Sequence, residues 1–151
     1  MNLAELGLES IVRRITDQAA RLKAVRFAGC SGCEDPGRCC HKYMPIGYSD
    51  FRRWEAEKRW DILREIRLVT VPGKTPFFTF GKLLESGVPC PFLDERNLCR
   101  IHDTKPLACK NYPLTQPEEE VAPVCRQCGR GAEYSADLIR QLFVDQMHDL
   151  W

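Results

Sequence analysis

Cys30, Cys33, Cys39 and Cys40 place four thiols within the eleven residues Cys30-Ser31-Gly32-Cys33-Glu34-Asp35-Pro36-Gly37-Arg38-Cys39-Cys40. A thiolate is the natural ligand for zinc and for iron-sulfur clusters, and two cysteines separated by two residues can close on one metal through a tight turn. Three single thiols follow, in Cys90-Pro91-Phe92-Leu93, in Cys99-Arg100-Ile101-His102 and in Cys109-Lys110-Asn111-Tyr112-Pro113. They lie too far apart for one turn of backbone to unite, so a hairpin, or a loop packed on a helix, must gather them. Phe92, Leu93, Ile101 and Leu107 are the apolar residues available to fix that arrangement. Cys125-Arg126-Gln127-Cys128 then repeats the spacing of two.

Nine cysteines are odd in number. A full disulfide framework leaves one thiol over, and two four-thiolate sites also leave one. Adjacent side chains diverge in any regular backbone, so Cys39 and Cys40 do different jobs: they serve different metals, or one ligates while the other packs. The expected assembly joins Cys30, Cys33 and Cys39 or Cys40 with Cys90, Cys99 and Cys109. Cys125 and Cys128 either complete it or form a second site, and spacing leaves open which four share a metal. Arg38, Lys42, Arg100, Lys110 and Arg126 adjoin these thiols. They either favour the thiolate form or are ordinary surface cations. His41 and His102 are read as hydrogen-bonding neighbours of the ligands, and His148 as structural or exposed.

Other chemistries fit less well. Gly73-Lys74-Thr75 looks like the end of a phosphate-binding loop, but the glycine that motif requires five residues earlier is Leu68. Thioredoxin-like use of Cys30 and Cys33 normally follows a strand, whereas a helical pattern precedes them here. With every thiol bound to metal, no catalytic nucleophile remains to be named.

The elements that must position these thiols follow from apolar periodicity. Leu3, Leu6, Ile11, Val12, Ile15, Ala19 and Leu22 predict a helix over 3–24. Ser49 or Asp50 is placed to cap a second helix reaching about Val69, with Phe51, Trp54, Ile62, Leu63 and Ile66 inward. Ser135 is placed to cap a third, whose apolar face is Leu138, Ile139, Leu142, Phe143, Met147 and Leu150. Phe77 to Phe80 has strand propensity but is short, and 114–124 is a polar connector. The expected fold is α-rich (α+β with little strand): a small irregular single domain, 1–151, of about three helices whose loops are held by cysteine-bound metal.

A chain of 151 residues suits one core. Its 22 Lys and Arg against 21 Asp and Glu give a net charge of +1, which provides no basic footprint for nucleic acid or an anionic membrane. No apolar run approaches the roughly 20 residues that span a bilayer. Arg13, Arg14 and Asp17 stand where a signal peptide would be apolar. A cytoplasmic location is expected, where dense cysteine means metal or redox chemistry more often than disulfides.

Taken together, the Cys39-Cys40 pair, Cys90-Pro91-Phe92-Leu93, Cys99-Arg100-Ile101-His102 and Lys105-Pro106-Leu107-Ala108-Cys109-Lys110-Asn111-Tyr112-Pro113 resemble the YkgJ-type cysteine-cluster family of zinc- or iron-chelating domains. The resemblance runs from about Cys30 to Pro113. It departs at Lys105, where the family commonly has arginine, and in the five-residue gap between Cys33 and Cys39. It implies a metal cofactor: an iron-sulfur cluster of the 4Fe-4S type, which the scattered single cysteines favour, or zinc. The roles that follow are a cluster carrier or electron-transfer module, or a zinc-stabilised interaction module for an unidentified protein partner. Some longer relatives are flagellin lysine N-methylases. This chain is short for the extra machinery and shows no glycine-rich methyl-donor loop, which leaves at most a cluster-dependent accessory of such an enzyme.

Overall fold

A computed structural model describes residues 3–29, 33–35, 37, 40, 44–70, 72, 76–84, 88–116, 125, 127 and 129–150. Gly73-Lys74-Thr75 and most of the 114–124 connector lie outside the described residues. Among those described are five α-helices, two short 3-10 turns and two two-stranded antiparallel sheets. The strands correct the expectation of about three helices joined by loops.

Helix α1 spans Leu3–Arg21 and turns a narrow stripe inward. Ala19 is buried, as is Leu22 just beyond the helix end, and Ile11 and Ile15 are half-buried. Val12 is 54% exposed, since one step around the helix from Ile11 carries it off a stripe set by 11, 15 and 19. The helix ends short of residue 24 because Val25–Phe27 leaves as strand β1, pairing with Ala132–Tyr134.

Helix α2, Tyr48–Ala56, has Gly47 as its N-cap rather than Ser49 or Asp50. Asp50 sits inside the first turn, and its Oδ2 accepts the Gly47 N–H at 3.1 Å. The helix expected to reach Val69 breaks at Lys58, whose φ is +54°. A single turn follows, α3, Trp60–Leu63, and then strand β2, Ile66–Val69. Strand β3, Phe77–Phe80, is the cause: its ladder with β2 pairs Ile66 with Phe80 and Val69 with Phe77. Cross-strand packing of aromatic on β-branched side chains overrides a periodicity that Ile62, Leu63 and Ile66 satisfied equally well as a helix. Strand β4 is Ala132–Tyr134.

Helix α4 is the short Leu107–Asn111, and α5 is Ala136–Leu150. Ser135 caps α5 as expected, its Oγ accepting the Leu138 N–H at 3.2 Å. Ile139 and Phe143 are buried, whereas Leu138 is 47% exposed on the opposite side of the first turn. No helix among the described residues is long and apolar enough to cross a membrane.

Two apolar clusters result. Ile46, Trp54, Ile62, Phe80, Leu83, Phe92 and Ile101 form the first, with Cys90 and Cys99 packed against it. Ala19, Leu22, Leu114, Ile139 and Phe143 form the second, flanked by Val25, Phe27 and Tyr134 of β1 and β4. Helix α5 spans the gap. Gln146 Oε1 accepts from Asn111 Nδ2 and Thr115 Oγ1, and Asp149 accepts from the backbone N–H and hydroxyl of Ser49.

Candidate metal centre

The stretch from Cys90 to Cys99 folds back on itself as a tight hairpin. Leu93 bridges to Cys99, and the Arg100 N–H donates to the Phe92 carbonyl at 2.8 Å. Asp94 closes the tip: its Oδ1 accepts from the N–H groups of Arg96 and Leu98. Buried Phe92 and Ile101 anchor the base of the hairpin in the first cluster, so Cys90 and Cys99 meet at the same end of it. The first cysteine stretch joins them there, because the Cys90 N–H donates to the Cys40 carbonyl at 3.0 Å.

Cys109 arrives on α4, which α2 holds in place. Asp50 is fully buried, and its Oδ1 accepts the Leu107 N–H at 3.0 Å, capping a helix 57 residues away in sequence. Arg53 reaches the same segment with its guanidinium. Its Nη2 donates to Asp50 Oδ1 and to the carbonyls of Thr104 and Lys105, and its Nε to Thr104 Oγ1. Trp54 Nε1 also donates to the Thr104 carbonyl, at 2.8 Å, and the Thr104 hydroxyl donates to Glu57 Oε2. Two turns of α2 thus fix the chain between Cys99 and Cys109.

Cys33, Cys40, Cys90, Cys99, Cys109 and Cys125 carry reduced thiols, all half-buried. Cys30, Cys39, Cys128, His41, Arg38, Lys42 and Arg126 lie outside the described residues. Cys90, Cys99 and Cys109 lie close enough for their charges to act on one another, and the Cys40 backbone is bonded to Cys90. Among the described residues no three His, Cys, Asp or Glu side chains are set to grip an ion as they stand. The donor type nonetheless fits one: sulfur ligands in an apolar setting, beside cations, select zinc or iron-sulfur clusters.

Burial pushes the Cys109 thiol far up, and the neighbouring Cys90 and Cys99 add to it when ionised, while Lys105 pulls the other way. Burial raises Cys90 and Cys99 too, with Arg100 opposing at both. Of the cations expected beside the thiols, Arg100 therefore acts on them, but Lys110 does not contribute to these shifts. Lys105 replaces it as the cation that favours ionised Cys99 and Cys109. His102 is exposed, its Nε2 3.5 Å from Lys105 Nζ, and His148 is exposed as well.

Because these thiols titrate above their ordinary 9.0 when folded, the folded chain holds protons that the unfolded chain releases. The stability this confers is complete below about pH 9 and is lost as pH rises further. Metal-free protein is expected to unfold at lower urea concentration at pH 10 than at pH 8, and Cys109→Ser should shrink the difference. An equal loss in both proteins would show that other groups cause it. Binding a metal reverses the demand, since each ligating thiol must give up its proton.

No curated protein and no solved structure matches the chain. The family model CxxCxxCC, described as a putative zinc- or iron-chelating domain, matches residues 29–129, which takes in all nine cysteines and extends past Pro113 to the Cys125–Cys128 pair. With that match over most of its length, and with Cys90 and Cys99 brought together by one hairpin, the chain belongs to the CxxCxxCC family of zinc- or iron-chelating domains.

Proposed function

We propose that this metal-binding chain carries an all-cysteine iron-sulfur cluster of the 4Fe-4S type on the hairpin and α4, and that it works in the cytoplasm as a cluster carrier or electron-transfer module. Cys90, Cys99 and Cys109 supply three ligands, and Cys40, or its neighbour Cys39, the fourth. The observation that carries this reading is that Cys90 and Cys99 pack on the first apolar cluster, Cys109 lies close enough for their charge to act on it, and the Cys40 carbonyl accepts the Cys90 N–H. When bound, the cluster supplies one-electron chemistry or a transferable iron-sulfur unit. The chain's own residues do the rest. Phe92 and Ile101 exclude water behind the sulfurs, Lys105 and Arg100 offset negative charge, and Asp50 and Arg53 hold Cys109 in register.

A zinc-stabilised interaction module is the second reading, favoured by the paired spacing at Cys30–Cys33 and Cys125–Cys128. Anaerobic purification with iron, zinc and acid-labile sulfide analysis separates the two. Iron and sulfide in equal amounts, with a visible absorption that bleaches on reduction, are expected. Zinc alone, with no sulfide, would overturn the cluster and leave the zinc module.

A further inference from the structure

We infer that Gln146 is a positioning residue for Cys109: from α5 it fixes the C-terminal end of α4, as Asp50 fixes the N-terminal end from α2. The inference rests on the reading of Cys109 as a ligand and adds how the chain aims it. Helix α5 lies beyond the residues 29–129 that match the family, so the match assigns it no role.

Helix α4 has only five residues, Leu107–Asn111, too few to persist without outside support, because the first turn of a helix is costly to form. That support comes from both sides. The Leu107 N–H donates to Asp50 Oδ1 at 3.0 Å, two residues before Cys109. Asn111 Nδ2 donates to Gln146 Oε1 at 3.1 Å, two residues after it. The same oxygen accepts from the Thr115 hydroxyl at 3.2 Å, and the Leu114 N–H returns to the Asn111 carbonyl at 2.8 Å, so one side-chain amide staples the turn that leaves α4. Asn111, Thr115 and Gln146 are all buried. Loss of an acceptor there strands two interior donors.

Gln146 also departs from the pattern of its own helix. Ile139 and Phe143 are buried, and residue 146 follows them at the i, i+4, i+7 spacing of a core stripe. An apolar side chain would satisfy packing alone, whereas a buried amide is costly unless it is bonded. Both bonds to its oxygen come from α4 and the turn behind it. Three residues on, Asp149 Oδ1 accepts the Ser49 N–H at 2.9 Å and Oδ2 the Ser49 hydroxyl at 2.6 Å. A Cβ at Gly47 would collide with Asp149 Oδ2, so α2 and the end of α5 meet with no room for a side chain between them. Helices α2, α4 and α5 are thus joined pairwise by Asp50, Gln146 and Asp149, and Cys109 sits on the shortest of the three.

The test uses the whole chain, freed of metal and titrated anaerobically with cobalt(II), whose absorption reports ligation by thiolate. Gln146→Met preserves the size of the side chain and removes the acceptor, whereas Gln146→Glu keeps the acceptor. Gln146→Met should bind cobalt roughly 10–100-fold more weakly, the range for losing a group that orients a ligand, and with less thiolate-to-cobalt absorption. Gln146→Glu should restore both. Before metal is added, hydrogen exchange at the Lys110 and Tyr112 amides, which donate to the Pro106 and Ala108 carbonyls, should quicken in Gln146→Met while the β2–β3 ladder stays protected. Leu142→Ala, on the same helix but packed against the second cluster, is the control for stability: it should lower the urea midpoint and leave cobalt affinity at the parent value. Parental affinity in Gln146→Met, or an equal loss in Leu142→Ala, would overturn the inference. Cobalt binding unchanged by Cys109→Ser would instead defeat the ligand reading beneath it.

Discussion

Asp50→Ala is expected to lower the free energy of unfolding by about 3 to 5 kcal/mol, the range for breaking a buried pair by removing one partner. The carboxylate is fully buried and accepts from Gly47 N–H, Leu107 N–H and Arg53 Nη2. Truncation orphans two backbone donors, each worth roughly 1–3 kcal/mol when left unsatisfied in the interior. Arg53 is less exposed to loss, being 26% accessible and still held by the carbonyls of Thr104 and Lys105. The damage should therefore concentrate where α2 meets α4. Cys109 stands one turn into that helix, so metal content of the variant should fall together with its urea midpoint. A variant within 1 kcal/mol of the parent, with full metal, would mean that Asp50 is not the clasp between the two helices.

Cys109→Ser should separate a ligand from a core cysteine. A serine hydroxyl is nearly isosteric with the thiol but is a poor partner for a soft metal. In the metal-free protein the substitution should cost only about 1–3 kcal/mol, the penalty for an unpartnered hydroxyl in apolar surroundings. In the loaded protein the loss should be far larger, because metal binding free energy is partly folding free energy. Denaturation of both proteins with and without metal gives the four values needed. If Cys109 merely packs, the cost of the substitution will be the same in both states, and the proposed ligand set loses the member that α4 supplies.

The thiols were legible in the sequence, and so was the reason for their presence, because reactive side chains at close spacing have few other uses. The C-terminal helix and its Ser135 cap were also legible, since that signal is local. What escaped was whatever depended on distant partners. Ile66 to Val69 reads as the end of a helix until Phe77 to Phe80 comes alongside. Val25 to Phe27 carries too little pattern in three residues to announce a strand whose partner begins at Ala132. Asp50 looked like a cap for its own helix, and nothing nearby told that it also caps α4. Lys105 stood out only as a departure from the arginine common in similar chains. Its effect on Cys99 and Cys109 needed the fold.

The ribbon also bears on the order of events during synthesis. Arg26 and Gly131, joined across it, are 105 residues apart. At roughly 5–20 residues per second, a ribosome needs on the order of 5–20 s to make the second after the first. Strand β1 therefore waits for its partner, and the ribbon closes only after translation has nearly ended. A nascent chain stalled before Ala132 emerges is expected to leave Val25–Phe27 without its strand partner.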